Sequence, residues 1–176
     1  VLGAGMAIAT MLSCSTGGKT QLTESGLNPA AFDTTINNKP VKLFTLKNKS
    51  GMEVCITNFG GRVVSLTVPD KDGKPTDVVL GYDNIRQYAD SVNSPSDYGS
   101  TVGRYANRID KGHLHVNGKD YQLPQNNFGH CLHGGPSGWM YQVYDAEQPN
   151  DTTLVMRLMS PDGDNNFPGT VKTTAT

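Results

Sequence analysis

The sequence has few cysteines, a single tryptophan and no excess of charge of either sign. Its three cysteines show no C-x-x-C spacing, so a zinc finger or a dithiol redox site is not indicated. Lysine and arginine total 15 against 16 aspartate and glutamate residues, which leaves no surplus positive charge to neutralise the phosphates of a nucleic acid. We therefore expect no nucleic-acid partner.

No apolar run is long enough to span a bilayer. The most apolar stretch, residues 1–13, is too short for a transmembrane helix and is followed by a polar Ser/Thr/Gly segment. It resembles the end of a secretory signal, and its MLSC ending resembles a bacterial lipoprotein signal, in which the cysteine carries lipid. This pattern predicts a leader over residues 1–14, a candidate lipid anchor at Cys14, and export to the periplasm or a membrane surface. The alternative is an apolar segment without a targeting role.

Glycine and proline are frequent, with 20 and 10 residues and no repeating period. Short runs with high strand propensity recur after residue 40, separated by turn residues, and no long helical stripe is present. Since each sheet must bury one face against another, this pattern predicts an all-β sandwich. The predicted strands are 41–46, 52–58, 62–68, 76–82, 113–116, 119–123, 141–146 and 152–159.

The domain organisation follows from the same pattern. Residues 15–40 are polar and rich in turn formers, which predicts a tether ahead of one domain over residues 41–176. Asn117-Gly118 predicts a tight hairpin, because both residues accept positive φ angles. Residues 84–98 have weak strand propensity, so a single helical turn or an irregular excursion is expected there.

Cys55 and Cys131 lie in apolar surroundings. Buried free thiols are the expected state of both residues. A disulfide between them stays open as an alternative, because spacing along the sequence does not give the distance between their Cα atoms.

Residues 103–138 hold the side chains most suited to ligand binding and proton transfer. Amide and guanidinium groups can each grip two oxygens at once, and Asn107 and Arg108 supply one of each side by side. Moving a proton on or off an oxygen near neutral pH favours imidazole, and His133, followed by two glycines, is the candidate. Structural explanations exist for each: Arg108 in a surface ion pair, Asn107 capping a turn, and His133 as a satisfied structural histidine.

Two other histidines, His113 and His115, alternate along one predicted strand and share a face. Two histidines without further ligands are weak support for a metal site, and we predict none.

The same segment resembles a known family. GRYANRI at 103–109, a G-x-x-x-x-x-G-x-x-Y-x-L hairpin at 112–123 and LHGG at 132–135 are together similar to the signature of aldose 1-epimerases, also called galactose mutarotases. The resemblance extends over roughly residues 41–169. It implies a galactose mutarotase-like β-sandwich, incomplete because the chain ends midway.

The resemblance also implies roles for these residues. Positions matching Asn107, Arg108 and His133 bind an aldohexose such as galactose or glucose, and His133 acts as a catalytic residue near the anomeric and ring oxygens. The implied reaction interconverts α and β anomers by acid–base ring opening, without cofactor or metal. The family's glutamate base and second histidine belong to sequence beyond residue 176, so the chain alone is expected to hold the sugar and to be inactive.

Other interpretations stay open. One is a non-catalytic carbohydrate-binding β-sandwich module. A weaker one is an epimerase of hexose 6-phosphates, which needs more basic residues around the sugar than this segment supplies. Trp139 is a candidate for stacking on a sugar, although core packing is its expected role, and Phe167 is a candidate cleft-lining residue.

Overall fold

A computed structural model describes residues 21–93 and 96–176. This part of the chain is all-β, with thirteen short strands and one α-helix, as the turn-rich sequence predicted. The predicted leader over residues 1–14 and the candidate anchor Cys14 lie outside the described residues. Among the described helices, none has the length and apolar character needed to cross a membrane.

Two antiparallel sheets form the body of the domain. The first has four strands in the order β3-β4-β5-β6, and the second has three in the order β11-β12-β13. Their bounds are β3 Leu43–Lys47, β4 Glu53–Thr57, β5 Arg62–Pro69, β6 Pro75–Asp77, β11 Asp145–Asn150, β12 Thr153–Ser160 and β13 Val171–Ala175. Within each sheet, strands that are consecutive in sequence are neighbours. The long segment between β6 and β11 connects the two sheets and carries the smaller elements.

The core between the sheets explains why they pack as a sandwich. Leu154, Met156 and Leu158 alternate along β12 and are buried, as a strand with one covered face requires. Phe44, Leu46 and Ile56 of the first sheet pack against them, so the inward faces of the two sheets meet there.

Three two-stranded ribbons and one short helix complete the fold. They are β1 Thr34–Ile36 with β2 Lys39–Val41, β7 Arg108–Ile109 with β10 Cys131–Leu132, β8 His113–Val116 with β9 Lys119–Gln122, and α1 Ile85–Ala89. The β8–β9 hairpin turns at Asn117 and Gly118, whose φ angles are +51° and +73°, so this prediction is confirmed. Helix α1 is a single turn capped by the Asn84 side chain, which was one of the two predicted outcomes.

The prediction of a polar tether over residues 15–40 is wrong from residue 27 onward. Leu27 is 7% exposed and Phe32 is fully buried, and both belong to the core beneath the first sheet. The missed signal is Asn37-Asn38, because both residues adopt positive φ angles and close the β1–β2 hairpin. Among the other strands, the largest boundary differences are that the predicted strand 76–82 ends at Asp77 and that the predicted strand 141–146 lies at Asp145–Asn150.

Cys55 and Cys131 are buried free thiols, as expected. Burial raises the pKa of both thiols, because the thiolate form loses its hydration in the core.

Tyr144 carries one of the buried polar atoms that lack a hydrogen-bond partner in the described part of the chain. It is 1% exposed, its hydroxyl has no hydrogen-bond partner among the described residues, and burial raises its pKa to about 12. An unfolded tyrosine ionises near pH 10, so between pH 10 and 12 the unfolded chain holds fewer protons than the folded one. The free energy of unfolding therefore falls as pH rises through that window.

We expect Tyr144→Phe to be neutral or stabilising by up to about 1 kcal/mol at pH 7, because it removes an unpaired buried hydroxyl. At pH 11 its advantage over the unmodified protein should grow by about 1 kcal/mol, since phenylalanine does not ionise. Denaturant unfolding at both pH values measures the change, with Tyr105→Phe at an exposed position as the control. A variant less stable than the parent at both pH values would contradict this interpretation.

Candidate active site

The β7–β10 ribbon joins the two halves of the motif segment. Leu132 pairs with Arg108 and Cys131 pairs with Ile109, which brings GRYANRI beside LHGG. The ladder continues one step further, because the backbone N–H of His133 donates to the carbonyl of Asn107 at 3.0 Å. The two predicted sugar-binding positions are therefore direct neighbours in space, although 26 residues separate them in sequence.

A hydrogen bond to the imidazole ring fixes the orientation of the His133 side chain. The backbone N–H of Asn107 donates to Nδ1 of His133 at 3.0 Å, so Nδ1 must carry a lone pair and the neutral ring carries its proton on Nε2. Nε2 then lies 3.6 Å from the Asp97 carboxylate. The imidazole is thus arranged to donate from Nε2 and not from Nδ1.

Both Asn107 and His133 adopt left-handed backbone conformations, with φ angles of +63° and +52°. Such conformations cost about 1 kcal/mol or more for most residues other than glycine and asparagine, and they concentrate at functional sites. His133 therefore carries backbone strain that its hydrogen bonds to Asn107 maintain.

The guanidinium of Arg108 donates hydrogen bonds to the side chains of two asparagines. Its Nε and Nη2 both donate to Oδ1 of Asn127, at 3.0 and 2.8 Å, and its Nη1 donates to Oδ1 of Asn107 at 3.2 Å. Arg108 is exposed and holds no surface ion pair in the described part of the chain. Its contacts orient two amides beside His133, which differs from the surface pairing considered from sequence.

A hollow of ≈ 320 Å³ opens beside the Nε2 edge of His133. This volume lies at the lower end of the range for small-ligand sites. The lining residues are Ser96, Asp97, Asn126, Asn127, Leu132, His133, Gly135, Met140 and Tyr141. Asn107 and Arg108 are not among them. Both are exposed, and they contact two lining residues, His133 and Asn127.

Two glycines allow the chain segments next to His133 to pack closely against each other. A Cβ on Gly134 would lie 2.0 Å from the carbonyl oxygen of Gly103, and a Cβ on Gly103 would lie 2.0 Å from the Trp139 ring. Gly134 also has a φ of +85°, a conformation that only glycine adopts without strain. These distances show why a side chain is excluded at both positions.

Several weaker candidates take structural roles. Trp139 packs against the core between the sheets and does not line the hollow, which agrees with its expected role. Phe167 was a candidate cleft-lining residue, and this is wrong: it is 6% exposed and packs in a separate cluster with Leu123 and Cys131. The strand pattern around Phe167 did not reveal that the loop folds back over this cluster.

His113 and His115 share one exposed face of the β8–β9 hairpin, and both contact the Asp120 carboxylate, at 3.3 and 2.7 Å. The His115 hydrogen bond holds the pKa of Asp120 below its usual value. Within residues 21–93 and 96–176, no group of three histidine, cysteine or carboxylate side chains is arranged to hold a metal ion.

Arg104 is fully engaged in the structure. Its Nε donates to the Ser160 hydroxyl, and its Nη atoms donate to the carbonyls of Ser160, Pro161, Pro168 and Gly169, at distances from 2.6 to 3.0 Å. The guanidinium also lies over the Phe167 ring at 5.8 Å. Since Arg104 has no donor directed to the hollow, a phosphate-binding role for this basic residue has no support.

Sequence reasoning missed Asp97, Asn127 and Tyr141 as wall residues. Asn127 lies within the motif segment, and its position four residues before Cys131 could have suggested that it meets the strand end. Asp97 comes from a loop and Tyr141 from a 3-10 helix, Trp139–Tyr141, both outside the segment, and no local pattern signals their approach.

Comparison with solved structures identifies the fold. Solved structures with the same fold include an aldose epimerase homologue from C. elegans, with 35% identity and a TM-score of 0.70 over 76% of this chain and 40% of that one. Galactose 1-epimerase from Lactobacillus acidophilus has 30% identity and a TM-score of 0.68, over 81% of this chain and 41% of that one. The fold is thus a galactose mutarotase-like β-sandwich.

The family follows from the sequence match. The family model for aldose 1-epimerase matches residues 42–176, and the chain belongs to this family. It is 32% identical to the aldose 1-epimerase of Escherichia coli over 77% of this chain, and 35% identical to mouse galactose mutarotase over 75%. The chain spans 38% and 37% of the lengths of these two relatives.

We expect nitrogen-detected NMR to find the His133 ring in the Nε2–H form when it is neutral, because the Asn107 N–H occupies Nδ1. The ring nitrogens are assigned by comparison with a His133→Asn variant. A dominant Nδ1–H form would show that the hydrogen bond to Asn107 does not hold in solution.

Proposed function

We propose that these residues form the sugar-holding part of an aldose 1-epimerase site, with aldohexoses such as galactose and glucose as substrates. The observation that carries the proposal is the fixed imidazole of His133, whose Nε2 edge faces a hollow of single-sugar size. The family membership supports the same reaction class.

The wall chemistry fits a pyranose. Sugar hydroxyls both donate and accept, and the hollow offers amides from Asn126 and Asn127, a carboxylate from Asp97 and a phenol from Tyr141. Leu132 and Met140 supply apolar surface for the ring carbons. Asn107 and Arg108 act in the proposal by fixing Asn127 and His133, so their contribution to binding runs through these neighbours.

The reaction interconverts the two anomers. A base takes the proton of the C1 hydroxyl, the bond between C1 and the ring oxygen breaks as that oxygen is protonated, the open aldehyde rotates, and reclosure gives the other anomer. In this proposal His133 donates a hydrogen bond from Nε2 to the sugar near the anomeric and ring oxygens. That hydrogen bond stabilises the charge that develops on the ring oxygen as the C–O bond breaks.

Calorimetric titration with galactose and polarimetry of fresh α-galactose test the proposal, the first on this chain and the second on the full-length gene product. We expect His133→Asn to lower the anomerisation rate by about 100-fold or more, because it removes the ring and its donor. Asparagine tolerates the positive φ at this position, so the backbone is preserved. His113→Asn, on the exposed hairpin, is the matched control and should change neither measurement.

Arg108→Lys should weaken galactose binding by about tenfold, since a lysine cannot reproduce the fork that holds Asn127 and Asn107 together. Binding without any acceleration of anomerisation in the full-length product would favour the alternative function, a carbohydrate-binding module. Binding and rates that His133→Asn and Arg108→Lys both leave unchanged would exclude this hollow as the sugar site.

A further inference from the structure

Arg62 is a fully buried arginine in a part of the molecule that the sugar-binding motif does not include. It is the first residue of β5, and its side chain has 0% exposure. Burial lowers the pKa of its guanidinium, because the charged form loses hydration. A buried charge is costly unless its surroundings compensate it, so its contacts are informative.

The three acceptors of Arg62 are backbone carbonyls. Nη1 donates to the carbonyls of Ser96 and Tyr98, at 2.9 and 3.3 Å, and Nη2 donates to the carbonyl of Met140 at 2.9 Å. The guanidinium lies between the rings of Phe59 and Tyr88, with its carbon 5.8 and 5.2 Å from their centroids. Cation–π contacts of this kind offset part of the desolvation cost.

These acceptors connect two walls of the hollow. Ser96 lines one side and Met140 lines the other, and the guanidinium joins them from behind. The Met140 side has independent anchors, because the N–H of Gly60 donates to the carbonyl of Gln142 at 2.7 Å and Phe59 bridges to Val143. The wall that carries Ser96 is also anchored at Gly99, whose carbonyl accepts from the Val63 N–H at 3.0 Å. Arg62 adds the contacts at Ser96 and Tyr98, which lie on either side of Asp97.

Asp97 lies between Ser96 and Tyr98, whose carbonyls both accept from Nη1 of Arg62. Its side chain is 44% exposed, so packing alone does not fix it, yet its carboxylate lies 3.6 Å from Nε2 of His133. Holding the peptide on each side of Asp97 restricts the position of its Cα and therefore the reach of its carboxylate. The geometry places this carboxylate beside the imidazole edge that the proposed function assigns to the sugar.

We infer that Arg62 is a positioning residue of the sugar site: it fixes Asp97 opposite His133, where the carboxylate accepts a sugar hydroxyl. This inference rests on the proposed function for the role of the sugar, while the positioning of Asp97 stands on the contacts of the free protein. Arg62 touches no substrate and acts only through the loop that it holds.

The first test needs no sugar. The Nε2 nitrogen and hydrogen shifts of His133 are measured by NMR in the unmodified protein, Asp97→Asn, Arg62→Lys and Arg62→Gln. We expect Asp97→Asn to change these shifts, because it removes the charge beside Nε2, and the Arg62 variants to change them in the same direction. Lysine and glutamine cannot reach three carbonyls at once, and one folded variant of the two is sufficient.

Arg104→Lys is the matched control. Arg104 also donates to several backbone carbonyls and packs over an aromatic ring, but it holds the 160–169 segment, and its side chain does not line the hollow. We expect this variant to lose thermal stability without changing the His133 shifts. Unchanged His133 shifts in Asp97→Asn, or in a folded Arg62 variant, would overturn the inference whether or not the protein binds sugar.

The second test is a double-mutant cycle on galactose affinity, measured well below the melting temperature of every variant. Arg62→Lys and Asp97→Asn should each weaken binding by about tenfold, the loss expected for one hydrogen bond to a charged group. The double variant should be no weaker than the poorer single variant, because both changes remove the same contact. Losses that multiply in the double variant would contradict action through Asp97, and a purely structural Arg62 would leave affinity unchanged.

The two tests separate the two proposals. An unmodified protein that fails to bind galactose defeats the proposed function, while the His133 shifts still decide whether Arg62 positions Asp97.

Discussion

The reciprocal hydrogen bonds between Asn107 and His133 hold the candidate site together. The His133 N–H donates to the Asn107 carbonyl, and the Asn107 N–H donates back to the His133 ring, both at 3.0 Å. One pair of contacts thereby closes the β7–β10 ladder and sets the proton position on the imidazole. His133 has a positive φ angle, so these bonds also maintain a strained backbone at that residue.

Close packing next to this pair fixes the backbone on either side of His133. Gly103, Gly134 and the Trp139 ring approach one another so closely that no side chain larger than hydrogen fits at either glycine. The core between the two sheets holds Trp139, so the position of His133 is tied to the main body of the fold. Arg62 acts similarly at longer range, since its guanidinium collects carbonyls from the 96–98 segment and from Met140. Arg104 joins the adjoining ends of the paired strands β12 and β13.

Local sequence patterns predicted the features that depend on residues close together in the sequence. The all-β class, the Asn117-Gly118 hairpin and the buried free thiols follow from propensity, turn chemistry and apolar surroundings, and each is confirmed. The convergence of Asn107, Arg108 and His133 was suggested by their residue types and by the family resemblance together. Their roles in binding and catalysis stay predictions.

Contacts between distant segments could not be predicted from sequence. Asp97 reaches His133 across 36 positions, and Arg62 reaches Met140 across 78, so neither contact has a local signature. The polar residues 27–40 were misread for a related reason, because two buried side chains, Leu27 and Phe32, are enough to dock a segment that is otherwise hydrophilic. Short strands such as β1 and β2 carry too few residues to show an alternating pattern.

A crystal structure of the protein with bound galactose tests the central claim most directly. We expect one pyranose in the hollow beside His133, with a ring or anomeric oxygen within hydrogen-bond distance of Nε2 and a hydroxyl on the Asp97 carboxylate. A sugar bound instead in the separate groove beside Lys39 and Asp145, or an Nε2 atom turned away from the bound sugar, would contradict it.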